Sequence, residues 1–119
     1  MINKIKESST NQLNKRILSD RCSVNDTLGL IGKRWLMMVL YEVSQGSNQF
    51  SLLTKSIPEI SENVLAIRIN NLIDNDLIEK IEKMNTTPLE IIYSITEKAK
   101  QLLSLVDSLG KWDENWNTQ

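Results

Sequence analysis

The chain has 119 residues, 40% of them hydrophobic, with 14 Lys+Arg against 15 Asp+Glu and a net charge of -1. That length and apolar share suit one domain with a modest core. The charge balance excludes a strongly basic protein but not one whose charges are segregated. One cysteine, Cys22, and no histidine exclude an intramolecular disulfide. They also remove the several Cys or His ligands of a zinc site and the usual general base at neutral pH. No catalytic set, cofactor or metal is expected.

Met1 to Arg21 is polar and is expected as an N-terminal arm (residues 1–21). It is either a tail or a short helix near Asn11–Ser19 carrying Leu13, Ile17 and Leu18. It has no apolar signal core, and nowhere are there about 18 consecutive apolar residues. With a lone cysteine this predicts a cytoplasmic protein. Residues 22–119 are expected to form the folded domain.

Ser23-x-x-Asp26 reads as a capped helix start. Val24, Leu28, Ile31, Trp35, Met38, Val39 and Val43 then recur at helical spacing. Gly32 predicts a kink or break, and Gly46 a helix end. Phe50, Leu53 and Ile57 predict a short helix that Pro58 stops. Ser61 caps the next helix, with Ile60 placed to staple onto Leu65; Leu65, Ile69, Leu72 and Ile73 form its core face. Asp74-Asn75-Asp76 ends it, with Asn75 as the left-handed residue. Leu77 to Glu82 and Glu90 to Ile95 are strand candidates around a Thr-Thr-Pro tip. Thr96 caps a final helix. That helix has one stripe of Ala99, Leu102, Leu103, Val106 and Leu109, and another of Leu105, Leu109, Trp112 and Trp116. The combined arc is wider than one buried face needs, so the helix is either a dimer seam or buried within one chain.

The order of elements gives the fold class. Two helices joined by Pro58-Glu59-Ile60 form a helix-turn-helix. A hairpin following at once makes it a winged helix-turn-helix, mainly α with a small β-hairpin wing (α+β). In such a unit the first helix braces the second across the phosphate backbone, and the second presents polar residues to base edges. Here these are Ser61, Glu62, Asn63, Ala66, Ile67, Asn70 and Asn71, with Arg68 at the edge. Asn pairs with adenine in the major groove, and Arg with guanine or phosphate. The same residues also suit a solvated helix face. A winged-helix module that binds protein and not DNA is the alternative, favoured by the neutral charge and acidic wing.

From Cys22 to Trp116, roughly four-fifths of the chain, the sequence resembles the HxlR-type helix-turn-helix transcriptional regulators, relatives of MarR-type winged helices. Cys22-Ser23-Val24 matches a Cys ahead of a helix. Leu30-Ile31-Gly32-Lys33-Arg34-Trp35 matches a turn into Gly-Gly-Lys-Trp. Gln49-Phe50-Ser51-Leu52-Leu53 stands for Arg-Phe-x-x-Leu, and Ile57-Pro58-Glu59-Ile60-Ser61 for Ile-Pro-Gly-Ile-Ser. Leu65-Ala66-Ile67-Arg68-Ile69-Asn70-Asn71-Leu72 matches Leu-x-x-Arg-Leu-x-x-Leu. Asn75-Asp76-Leu77-Ile78 stands for Asp-Gly-Leu-Val, and Tyr93-Ser94-Ile95-Thr96 for Tyr-Ser-Leu-Thr.

The resemblance implies a bacterial, homodimeric transcription factor that binds inverted-repeat DNA, its recognition helices about 34–36 Å apart. The dimer would form through N- and C-terminal helices, here Leu13, Ile17, Leu102, Leu105, Leu109, Trp112 and Trp116. DNA contacts fall to Lys33, Arg34, Ser61, Asn63, Ala66, Ile67, Arg68, Asn70, Lys80 and Lys83. Partners are then double-stranded DNA, a second copy of the chain and a small-molecule or oxidant effector, with no membrane.

Some family members use the Cys at this place to sense oxidants or electrophiles, making Cys22 the redox-sensing candidate. A helix start and Arg21 beside it favour the thiolate; a small buried residue with no chemistry is the other reading. Trp35, Trp112 and Trp116 are either core and seam or the lining of a ligand cavity between the dimer arms. Lys80 and Lys83 are balanced by Glu79, Glu82 and Glu90, so binding is expected to be modest with a shallow salt slope.

Overall fold

The computed structural model describes residues 4–117, and among them the side chains of 12–16 and 21–117. The elements run α1 (Lys4–Ile31), α2 (Leu36–Ser44), α3 (Phe50–Ser56), α4 (Glu62–Asp74), β1 (Ile78–Lys83), β2 (Glu90–Ile95) and α5 (Glu97–Asn117). The chain divides into two compact units, Met1–Lys33 and Arg34–Gln119.

The first unit holds α1, one helix where two elements were expected. Ser23 does not cap a new helix. It lies inside α1, where its carbonyl accepts a hydrogen bond from Thr27 Oγ1 at 3.0 Å. The helix therefore passes through the anticipated 21/22 boundary, and Cys22 is an exposed mid-helix residue. Its end matches the expected break. Gly32 N donates to Leu28 O at 2.9 Å and Lys33 N to Leu30 O at 3.1 Å. A Cβ on Gly32 would stand 2.9 Å from that Leu28 carbonyl, so the close turn requires glycine.

In the second unit the chain restarts at Trp35, the N-cap of α2, in the left-handed region at φ 75. The break shifts the helical phase. Trp35 and Met38, expected on the core face, are half-buried and 48% exposed, respectively. The buried face is Leu36, Val39, Leu40 and Val43. Gly46, at φ 110, closes the helix as expected: Ser47 N donates to Glu42 O and Gly46 N to Val43 O. This pair satisfies the last free carbonyls.

Leu53 and Ile57 join that core from α3 and the residue after it. Ser61 caps α4, its Oγ accepting from Val64 N at 3.2 Å. Ile60 and Leu65, the expected staple, are both buried. Leu65, Ile69 and Leu72 carry the helix inward. At its end the left-handed residue is Asp76 (φ 57), and not Asn75 (φ -101). The reason is the capping pattern: Leu77 N reaches Leu72 O and Asp76 N reaches Ile73 O, which places the C′ position at Asp76.

β1 and β2 pair antiparallel, from Ile78↔Ile95 to Lys83↔Glu90. Leu77, Ile78 and Tyr93 are the buried residues of this wing and its entry. Burial raises the Tyr93 pKa from its ordinary 10.0. Thr96 caps α5 as expected, accepting from Ala99 N at 3.1 Å and donating to Asp76 O at 2.7 Å. Ala99 is buried and Leu103 and Val106 half-buried, whereas Leu105, Leu109, Trp112 and Trp116 stay exposed. Fully burying one such large side chain contributes about 1.5–3 kcal/mol, so the exposed stripe forgoes a large stabilisation within one chain. No helix among the described residues is long and apolar enough to cross a membrane.

Candidate nucleic-acid interface

The interface is built outward from α4. Its inward residues, Leu65, Ile69 and Leu72, fix the rotation of the helix about its own axis. At 3.6 residues per turn, Asn63, Ala66, Ile67 and Asn70 then fall on the opposite side, and all four are exposed. α2 and β1 are the elements that pack against this helix from behind, and α3 and the turn through Pro58 join the same core, with Leu53, Ile57 and Ile60 buried. The Ser61 cap occupies one N-terminal donor, so the remaining free N–H groups and the positive end of the dipole face outward.

Arg68 is elsewhere. It lies on the flank of α4 with Val64 and Asn71, all three half-buried. Its Nε donates to Arg34 O at 2.8 Å, and its Nη1 donates to Asn71 Oδ1 at 3.0 Å. The cation thus fastens the start of α2 to the recognition helix. Arg34 is exposed and holds its guanidinium over the Trp35 ring, 5.0 Å from the centroid. That stacking is a cation–π contact. The clamp holds down the strained left-handed Trp35, a conformation that costs about 1–3 kcal/mol and needs its surroundings to persist.

The wing is braced to the helix-turn-helix. Gln49 Nε2, at the N-cap of α3, donates to Glu90 Oε1 at 2.7 Å, and Tyr93 N donates to Asn48 O at 2.8 Å. Lys80 lies 3.7 Å from Glu82 and Lys83 lies 4.0 Å from Glu90. Both lysines are exposed, and their carboxylate neighbours reduce the positive field they present.

The other expected residues are placed as follows. Ser61 and Arg34 are exposed in the second unit, and Lys33 is exposed in the first. Of the expected seam, Leu13 is exposed on α1, Leu102 is half-buried, and Leu105, Leu109, Trp112 and Trp116 are exposed on α5. The Ile17 side chain lies outside the described residues. Trp35 is half-buried, and Trp112 and Trp116 are exposed. A groove of about 540 Å³ between α2 and α5 is lined by Met37, Met38, Tyr41, Leu103 and Val106, among others. Among the described residues no group of three or more Cys, Asp or Glu is placed to hold a metal ion.

Sequence reasoning missed the Arg68–Arg34 clamp and the Gln49–Glu90 link. The first had a readable signal: position 68 is three residues from Leu65 and beside Ile69, hence on the flank of the helix. The second joins residues 41 positions apart, and no local pattern marks it.

A capped recognition helix braced by a second helix and followed by a hairpin defines a winged helix-turn-helix DNA-binding regulator of transcription. Residues 30–119 match the HxlR-like helix-turn-helix family. The chain belongs to that family. Among its relatives in Bacillus subtilis (strain 168) is the HTH-type transcriptional regulator YodB, 29% identical over 93 residues, spanning 78% of this chain and 82% of YodB. Another is the HTH-type transcriptional regulator YvaP, 30% identical over 87 residues, 73% of this chain and 80% of the relative. The reduced form of YodB superposes with a TM-score of 0.73 at 28% identity, covering 80% of this chain and 92% of that one. Diamide-treated YodB gives 0.69 at 30% identity, with 76% and 89% covered. A MarR-family regulator from Enterococcus faecalis V583 shares the fold, with a TM-score of 0.75 at 23% identity over 82% and 88%.

Proposed function

We propose that this regulator binds an inverted-repeat operator as a homodimer, reading bases with the outward face of α4. The observation that carries the reading is the exposure of Asn63, Ala66, Ile67 and Asn70 on a helix whose opposite face is locked into the core. Arg34, beside the start of α2, and Lys33 contribute phosphate contacts. Lys80 and Lys83 add little, because Glu82 and Glu90 sit beside them. The salt slope is therefore shallow.

Two exposed stripes support the dimer. Leu13, Val24 and Leu28 recur at helical spacing on α1, and Leu105, Leu109, Trp112 and Trp116 at steps of four and three on α5. Exposed apolar stripes of this length mark interaction surfaces. A Leu109→Asp, Trp112→Asp double variant should sediment as a monomer; a dimer of unchanged affinity would place the seam elsewhere.

Cys22 is the oxidant-responsive group in this proposal. Its mid-helix position removes the helix-start argument for a thiolate, so support rests on an exposed thiol and on a relative studied in reduced and diamide-treated forms. Diamide takes two electrons and two protons from two thiols, so the product is a Cys22–Cys22 disulfide between two chains. A Cys22→Ser protein whose DNA binding still responded to diamide would remove this part.

The central test is a mobility shift on the intergenic DNA beside the gene, with wild type and Asn63→Ala. Retarded DNA with a footprint on an inverted repeat, weakened in the variant, is the expected result. No retardation at low salt would favour a module that docks protein.

A further inference from the structure

We infer that α4 reads adenine and thymine edges, so that the operator half-site carries A·T pairs where the helix meets it. This rests on the DNA-binding reading above. Guanine is recognised in the major groove by a cation, above all by the paired N–H groups of arginine. From Ser61 to Asp74 the only cation is Arg68. Its guanidinium is turned to the chain, with Nε on the Arg34 carbonyl and Nη1 on Asn71. The outward face therefore holds no guanine reader.

What that face does hold has a definite complement. Asn63 and Asn70 each carry an amide donor and an acceptor, the pattern that adenine N7 and N6 match together. Ala66 and Ile67 lie between them, with Ile67 45% exposed. An apolar side chain there gains only by covering another apolar group, and the thymine C5 methyl is the one the groove offers. Glu62 is exposed but turned toward the Ile69 and Ile73 side of the helix, off the centre of the face. The spacing is also commensurate. Seven residues of helix separate the two asparagines by about 10 Å, close to three base-pair steps of about 3.4 Å. The helix thus spans about four base pairs, with amides at the ends and apolar side chains between.

The experiment starts from a random-sequence duplex pool selected with the full-length protein. Each thymine of the selected half-site is replaced by uracil, and each adenine by 7-deazaadenine, one position at a time. The expected result is a block of A·T pairs under α4. At least one uracil and one 7-deazaadenine duplex should bind about 5-fold or more weakly. Asn63→Ala and Asn70→Ala should each cancel the 7-deazaadenine penalty at one position. Selection of G·C pairs at the positions where the Asn variants act, or modified duplexes binding within twofold of the parent, overturns the inference while leaving DNA binding intact. A pool that converges on no sequence overturns the DNA-reading proposal itself, and this inference with it.

Discussion

Replacing Arg68 with alanine separates a clamp from a reader. The substitution removes the hydrogen bonds from Nε to Arg34 O at 2.8 Å and from Nη1 to Asn71 Oδ1 at 3.0 Å. A hydrogen bond from a charged donor contributes about 1.5–3 kcal/mol. The first of these is reached by solvent and the second only partly buried, so the lower end applies to each. Against that loss stands the strain of left-handed Trp35 at φ 75, part of which is released when the Arg34 carbonyl is freed. The net expectation is a loss of about 2 kcal/mol. In urea, with a slope of about 1.5 kcal/mol per molar for a chain of this size, the midpoint should fall by about 1.3 M. Variants are compared at one protein concentration, because the proposed dimer would make the midpoint depend on it. Arg68→Lys keeps the charge but lacks the fork, and should recover less than half of the loss. On DNA, Arg68→Ala should weaken all sequences alike by disturbing Arg34 and the start of α2. An unchanged urea midpoint together with relaxed preference at one guanine would refute this reasoning and make Arg68 a base reader.

Three further outcomes follow from the helix ends and the wing. Gly46 and Asp76 both occupy left-handed positions, so substitutions there should act with opposite sign. Gly46→Ala should cost about 1 kcal/mol and Asp76→Gly should gain about as much, both read from denaturation midpoints; a stabilising Gly46→Ala would contradict the capping geometry. Thr96→Ala removes the cap of α5 together with the bond to Asp76 O. It should cost about 1–2 kcal/mol, lowering Tm by about 5 °C or more. Tyr93 has a folded pKa above its ordinary 10.0 because burial disfavours the phenolate. The folded state therefore holds its proton longer than the unfolded one, and the stability this brings is complete below pH 10 and lost as pH rises through the folded value. Tyr93→Phe should flatten the alkaline limb of a stability–pH curve; an identical limb in the variant would show that another group causes the decline.

The sequence carried the order of elements well, because each boundary has a local cause. Pro58, Ser61, Gly46 and Thr96 act through their own backbone neighbours, and the structure places each where its chemistry predicts. The errors arose where a local cue competed with a longer helix. Ser23 and Asp26 resemble a cap, yet the residues before them continue the helix and leave no end to cap. Trp35 and Met38 fit an uninterrupted helical period, which the turn after Gly32 resets. Asn75 is the more familiar left-handed residue, but the hydrogen-bond pattern of the helix end fixes the position at Asp76. On α4, the exposed residues opposite the core were legible from period alone. The partners of Arg68 and Gln49 were not, because tertiary folding brings them together.

The distribution of the three tryptophans makes the chain its own reporter. Trp112 and Trp116 are 62% and 64% exposed on the outer stripe of α5, while Trp35 stands under a guanidinium at the start of α2. If a second chain covers α5 as proposed, emission from the first pair should shift to the blue and resist quenching by iodide. Emission from Trp35 should follow the Arg34 contact. With Trp112 and Trp116 replaced by phenylalanine, the remaining signal would track the start of α2 alone. The unaltered chain and this variant, followed side by side, would separate covering of α5 from clamp release without an attached dye.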